Sequence, residues 1–236
     1  MDRVSSGIPK VDAIIQDGFP TGSNILLLGP PMAGKTTMGM QFINAGLTAG
    51  KAGIFVVTNA SAEALEENML NFGWNTKSYA EEGMFKIADC YSKMVNPYVK
   101  ETDSIKRIPS VLELADISVV FSELCTKFLK LQKDICVVFD SLSSLFMYSN
   151  PAAIARFLHV LTGRLSGFNA TTLFLLEQGM HDTPTVTSLQ QITNGILELN
   201  YENEKRSLKI LGLKGTKCPF EELPLEITDK GMKLKY

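Results

Sequence analysis

The octapeptide Gly29–Pro30–Pro31–Met32–Ala33–Gly34–Lys35–Thr36 satisfies the spacing G-x-x-x-x-G-K-[ST], and its flanks restrict what can be built around it. Before it lies Asn24–Leu28, an apolar run without polar alternation, the pattern of a strand buried on both faces. After it the residues Thr36–Ala49 take up a helical period. A tight turn between such a strand and such a helix presents backbone N–H groups to an anion, and the helix adds its unpaired first-turn donors and positive dipole end. The expected phosphate-binding set is therefore Gly29, Pro30, Pro31, Met32, Ala33, Gly34, Lys35, Thr36 and Thr37, with Lys35 neutralising the β- and γ-phosphates and the Thr36 hydroxyl completing a magnesium site.

A magnesium site of this kind needs a second anchor at the carboxyl end of a neighbouring buried strand, and Ile135–Asp140 ends in Asp140. Ser141 and Ser143 follow it. Further strands are expected at Ile54–Thr58 and Thr171–Glu177, and helices at Ser61–Phe72, at Val111–Leu131 behind a Ser110/Glu113 capping box, and at Pro151–Phe168. Strand and helix alternating in this way predict an α/β fold, a mostly parallel central sheet with helices on both faces. From Gly195 onward the pattern changes. Gly195–Asn200, Ser207–Leu213 and Met232–Tyr236 read as strands joined by turns at Glu202–Lys205 and Asp229–Gly231, an antiparallel extension at the carboxyl end. Residues Cys90–Pro109 carry the least pattern and read as a long surface excursion, and the hydroxyls Thr183, Thr185, Thr187 and Ser188 as loop chemistry.

The 236 residues show no Pro-, Gly- or Ser-rich linker and no repeat, so one domain over residues 1–236 is expected. A net charge of −2 with mixed signs gives no footprint for nucleic acid, and no apolar run is long enough to span a membrane, which leaves a cytoplasmic protein as the expectation. Cys90, Cys125, Cys136 and Cys218 are scattered, and His159 and His181 have no ligand spacing to them, so zinc is not expected.

The segments Ser6–Asp12, Asp17–Ser23, Gly29–Pro31 and Gly34–Thr37 together resemble the KaiC-like branch of the RecA/RadA superfamily, of the single-domain type common in archaea. Asp140–Ser141–Leu142 resembles that branch's second nucleotide motif, Leu176–Glu177 its Thr-Glu strand end, Lys214–Lys217 its Arg-Gly-Thr segment, and Ile227–Met232 its closing strand and turn. The resemblance implies a RecA-like fold, ATP with Mg2+ as cofactors, and a nucleotide site at a subunit border, so a homo-oligomer or a protein partner stands as an open alternative beside the nucleotide. It also implies Lys35, Glu177 and Lys214 as catalytic candidates, Lys214 acting from a neighbouring subunit.

The chain departs from the family at three places. Active members carry two adjacent glutamates after the second strand; here Asn59 and Ala60 stand there, and loss of a positioned base costs roughly 10²- to 10⁴-fold in rate. Of the lysine and arginine that relatives insert from a neighbouring subunit, Gly212 and Lys214 keep one cation. Gln190–Gln191 stand where the clock protein has its phosphorylated serine and threonine. Three functions follow as expectations: an ATP-binding protein with slow or conditional magnesium-dependent hydrolysis in a regulatory or assembly role; a non-hydrolysing nucleotide-gated accessory module, like the KaiC-like ATPases of the archaeal flagellum motor; and, with least in its favour, a DNA recombinase. Glu63, one turn into its helix, is expected to face solvent or the helix dipole and not the phosphates.

Overall fold

The computed structural model describes residues 2–218 and 221–235. Its first elements form a small antiparallel pair, β1 (Arg3–Val4) and β2 (Phe19–Pro20), around α1 (Pro9–Ile14). The main sheet starts with β3 (Asn24–Gly29), which leads through the phosphate loop into α2 (Lys35–Thr48) and β4 (Ala52–Val57). Next come α3 (Ala62–Asn71), α4 (Lys77–Glu81), β5 (Phe85–Asp89), α5 (Ser92–Val95) and the edge strand β6 (Ile105–Arg107). The third stretch is α6 (Leu114–Lys130), β7 (Ile135–Asp140), α7 (Leu142–Tyr148), α8 (Pro151–Gly167) and β8 (Ala170–Glu177). The chain closes with α9 (Thr183–Ile192), β9 (Gly195–Glu202), β10 (Lys205–Leu213), β11 (Leu223–Thr228) and β12 (Gly231–Leu234).

The spatial order is β12-β11-β10-β9-β3-β8-β7-β4-β5-β6. From β9 to β6 all neighbours are parallel, and from β9 to β12 all are antiparallel, so the expected mixed sheet is present. Every residue of β3, β4 and β7 is buried, because the sheet is covered on both sides. Alternation along β3 divides the core. Ile25 and Leu27 face Phe42, Ile43 and Leu47 of α2, whereas Leu26 and Leu28 face Leu158, Leu161 and Leu165 of α8. The helix α2 lies close on the sheet at Gly46, where an added Cβ would stand 2.5 Å from the Cys136 sulfur.

The ends of the chain back α2. The Gln41 side chain donates to Gly7 O (2.6 Å) and Met232 O (3.0 Å) and accepts from Met232 N (2.6 Å), which ties β12 and the segment before α1 to the helix that carries the phosphate loop.

Four expectations need correction. The third long helix begins at Leu114, not Val111, and the capping box does not form. The Ser110 hydroxyl accepts instead from Leu112 N (3.1 Å), a local turn that competes with a cap, while Val111 is drawn into the core. The Cys90–Pro109 segment is no plain excursion; it contains α5 and β6, and its middle, from Met94 to Asp103, is largely exposed. Thr183, Thr185, Thr187 and Ser188 lie on a helix, α9, whose first turn is capped by Asp182 accepting from Thr185 N (3.0 Å) and pre-set by Pro184. The final expected strand, Met232–Tyr236, spans Gly231–Leu234, with Tyr236 outside the described residues, and it pairs with β11, for which the apolar pattern gave no separate signal.

Candidate nucleotide site

The sheet topology sends β3, β7 and β8 side by side with their carboxyl ends on one edge. Parallel register places Glu177 directly across from Gly29, the last residue of β3. Asp140 ends the next strand. Open α/β sheets place ligands outside such carboxyl ends, where crossovers leave a crevice.

Within the loop, Met32 has φ 64° and Gly34 φ 103°. Gly34 is the N-cap of α2, and a Cβ there would lie 2.2 Å from Met232 Cε and 3.0 Å from Ile227 Cδ1. The β11–β12 hairpin is thus packed against the loop at Gly34, a residue that has no side chain to oppose it. The first N–H groups of α2 have no partner inside the helix and carry its positive dipole end.

Lys35 is 5% exposed and fully engaged: its Nζ donates to Gly29 O (2.9 Å), Pro30 O (2.7 Å) and Glu177 Oε2 (2.9 Å). Thr36 Oγ1 donates to Asp140 Oδ2 at 2.6 Å. Burial pushes the Asp140 carboxyl up to about 6; the Thr36 hydroxyl and the Lys35 charge pull it back, and the Glu177 charge adds to the rise. A hydroxyl and a carboxylate oxygen this close are a hard-oxygen pair of the type that magnesium prefers, so the donor set fits that ion. The N–H and amine donors around Lys35 equally fit a polyphosphate.

Around this centre the structure gives partners to Ser143, which follows Asp140, and to Thr58, and adds His181, which no sequence pattern singled out. Ser143 Oγ accepts from Glu177 N (2.8 Å) and meets His181 Nε2 (2.9 Å), while the His181 ring packs on Phe146 at 4.9 Å. Burial holds His181 below the ordinary histidine value, partly offset by the Asp182 and Glu177 charges. Thr58 Oγ1 donates toward Asp140 O and Ser141 O and accepts from Ser141 N (2.8 Å), which fixes the strand end that presents Asp140. No local signal marks His181 or Thr58, since each meets its partner across more than 30 residues.

Asn59 and Ala60 follow β4 as a bend, Asn59 exposed. The next residues are anchored by a buried ion cluster. Asp89 accepts from Ala62 N (2.8 Å), Tyr91 N, Ser92 N and the Ser92 hydroxyl, and it pairs with Arg107, which also pairs with Glu63. Glu63 is exposed to solvent, as expected, and is paired at the same time with Arg107. Lys214 is exposed and lies at the other end of the sheet. Leu213 pairs with Gly195, which pairs with Ile25 at the amino end of β3, and Lys214 N donates to Asn194 O (2.7 Å). About a strand length separates it from the loop, so one chain does not bring Lys214 to Lys35.

Among the described residues no group of three His, Cys, Asp or Glu side chains is disposed to hold a metal ion, and no helix is long and apolar enough to cross a membrane. The thiols of Cys125 and Cys136 are buried and pushed up to about 12 by that burial.

Comparison with known proteins agrees with this geometry. A KaiC-like protein of known structure from the hyperthermophilic archaeon Pyrococcus horikoshii superposes with a TM-score of 0.82 at 25% identity, covering 100% of this chain and 99% of that one. A UPF0273 protein of Thermotoga maritima is 31% identical across 98% of this chain and 94% of its own length. A UPF0273 protein of Pyrococcus horikoshii is 32% identical across 98% and 92%. The KaiC ATPase family model matches residues 4–235, which takes in the phosphate loop, the strand ends that carry Asp140 and Glu177, and the closing hairpin behind Gly34. This chain belongs to the KaiC ATPase family, with the family's ATP-binding phosphate loop on a RecA-like sheet.

Proposed function

We propose that the chain, acting as one domain, binds ATP with Mg2+ at Gly29–Thr37 and hydrolyses it slowly or only under conditions set by an assembly partner. The observation that carries this reading is the convergence of Lys35, Thr36, Asp140 and Glu177 at the carboxyl ends of three adjacent strands. The Lys35 amine would turn from Glu177 to the β- and γ-phosphates, and Thr36 with Asp140 would hold the metal. Magnesium, when bound, supplies charge neutralisation between those phosphates. Glu177 lies beside the amine and would be the carboxylate that takes a proton from an attacking water, a reading supported by Ser143 and His181, which hold the strand end that bears it.

Asn59 and Ala60 support the slow rate, because neither accepts a proton at the place where active relatives carry paired glutamates. They equally favour the second reading, a nucleotide-gated module without turnover. Lys214, remote in its own chain, contributes only if a second copy brings it in. A recombinase role has no basic stripe to support it at a net charge of −2.

The deciding experiment is ATP turnover with magnesium over a range of protein concentrations, with Lys35→Ala as the blank. Turnover above the blank that rises per chain with concentration is expected and would implicate a subunit border. Binding without phosphate release at any concentration selects the non-hydrolysing module, and no binding at all refutes both.

A further inference from the structure

A cleft of about 800 Å³ outside the Lys35–Asp140–Glu177 centre lies between Pro30 of the phosphate loop and the β9–β10 hairpin. The residue that spans it is Arg206. Its guanidinium carbon stands 4.1 Å from the centroid of the Tyr201 ring, its cross-strand partner, and its Nη2 donates to Met32 O at 3.2 Å. Beneath it the hairpin is braced, since Asn200 Nδ2 (3.1 Å) and the Ser207 hydroxyl both donate to Glu222.

Met32 is the non-glycine residue of the loop with a left-handed backbone, at φ 64°, and it is 78% exposed, so its own packing does little to fix it. A loop that binds polyphosphate must turn N–H groups inward, which requires its carbonyls to point away from the anion. A carbonyl left free can rotate toward the phosphates, where it repels them. Arg206 removes that freedom from the outer side. A guanidinium is planar and, stacked on an aromatic face, loses little further entropy when it donates, so it suits this task better than a flexible ammonium.

We propose that Arg206 is a positioning residue for the triphosphate: it reaches from the β9–β10 hairpin, holds the Met32 carbonyl outward, and so pre-shapes the phosphate loop. The inference rests on the reading that Gly29–Thr37 takes a nucleoside triphosphate. It acts on the phosphates alone and not on base or ribose.

The test is calorimetric titration of wild type, Arg206→Ala, Arg206→Lys and Tyr201→Leu with MgATP and with magnesium tripolyphosphate, alongside melting curves. Arg206→Ala is expected to weaken both ligands by the same factor, about tenfold. Arg206→Lys should recover part of that loss, and Tyr201→Leu should show a smaller one with the guanidinium still present. Unchanged affinity in a folded Arg206→Ala protein with a lowered melting point overturns the inference and leaves Arg206 a hairpin brace. A loss for MgATP without a loss for tripolyphosphate overturns it too, by placing Arg206 at the base or ribose. Failure of the wild type to bind either ligand would instead overturn the nucleotide reading on which it rests.

Discussion

The Lys35 amine already has three acceptors, Gly29 O, Pro30 O and Glu177 Oε2, so a phosphate can engage it only by displacing one of them. Glu177 is the strongest competitor, being charged. Replacing it with glutamine keeps an acceptor of the same shape but turns a charge-assisted bond into one to a neutral oxygen. Such bonds differ by about 1 kcal/mol in net stabilisation, or about fivefold in an equilibrium constant. The substitution also removes a negative charge beside the place where the terminal phosphate would sit, which acts in the same direction. Glu177→Gln should therefore bind MgATP about 5- to 20-fold more tightly than wild type. If the same carboxylate takes the proton of the attacking water, phosphate release in a single turnover at saturating ATP should fall by about 10²- to 10⁴-fold. Titration and rapid-quench release measured on one preparation test both halves. Weaker ATP binding by Glu177→Gln would refute the competition argument, showing that the carboxylate helps hold the ligand. Unchanged turnover would remove Glu177 from the chemistry.

Asp140 supplies a pH prediction. Its carboxyl is pushed up from an ordinary value of 3.8 to about 6, so the folded protein binds this proton more tightly than the unfolded chain does. Its contribution to stability is then fully present below pH of about 4 and is lost as pH rises through about 6. Asp140→Asn keeps an acceptor for Thr36 without the charge, and it should be more stable than wild type by on the order of 2–3 kcal/mol at pH 8, with the advantage vanishing near pH 4. Urea unfolding of both proteins at the two pH values measures this, and a difference independent of pH would contradict it. Arg107 supplies a contrast in burial. Arg107→Met strips the counter-charge from Asp89, 0% exposed, and should cost about 3–5 kcal/mol, whereas Glu63→Gln, at a side chain 59% exposed, should cost under about 1 kcal/mol. Equal costs in urea titrations would mean that the two ends of the guanidinium are equally solvated.

The buried inner strands were legible because burial on both faces writes an unbroken apolar run; β7 was expected at Ile135–Asp140 and is found there. The phosphate loop was legible because its chemistry is local, a spacing of eight residues between a strand and a helix. Asp140 could be found as the acidic end of such a strand. Glu177 came from family resemblance, and its place opposite Gly29 depends on parallel register, which no short pattern encodes. Arg107 and Arg206 were silent for the same reason: each finds its acceptor across 18 residues or more, Asp89 and Met32 respectively. The edge strand β6 is only three residues with two basic side chains, and α9 is rich in hydroxyl and β-branched residues of low helix propensity, so both sank below the pattern.

The Gln41 contact with Met232 joins residues 191 positions apart. In the order of synthesis, the phosphate loop and α2 emerge early, but the hairpin that packs on Gly34 and occupies the Gln41 amide comes near the end. Contacts of such separation carry a loop-closure cost before they return any stabilisation, and they form late in folding. Until β12 docks, the Gln41 amide and the apolar back of the loop face water, and a nascent chain holds its most recognisable motif in an unfinished setting. The nucleotide site therefore matures as one of the last events of folding, which makes ligand binding a report on completion of the whole sheet and not of its amino-terminal half.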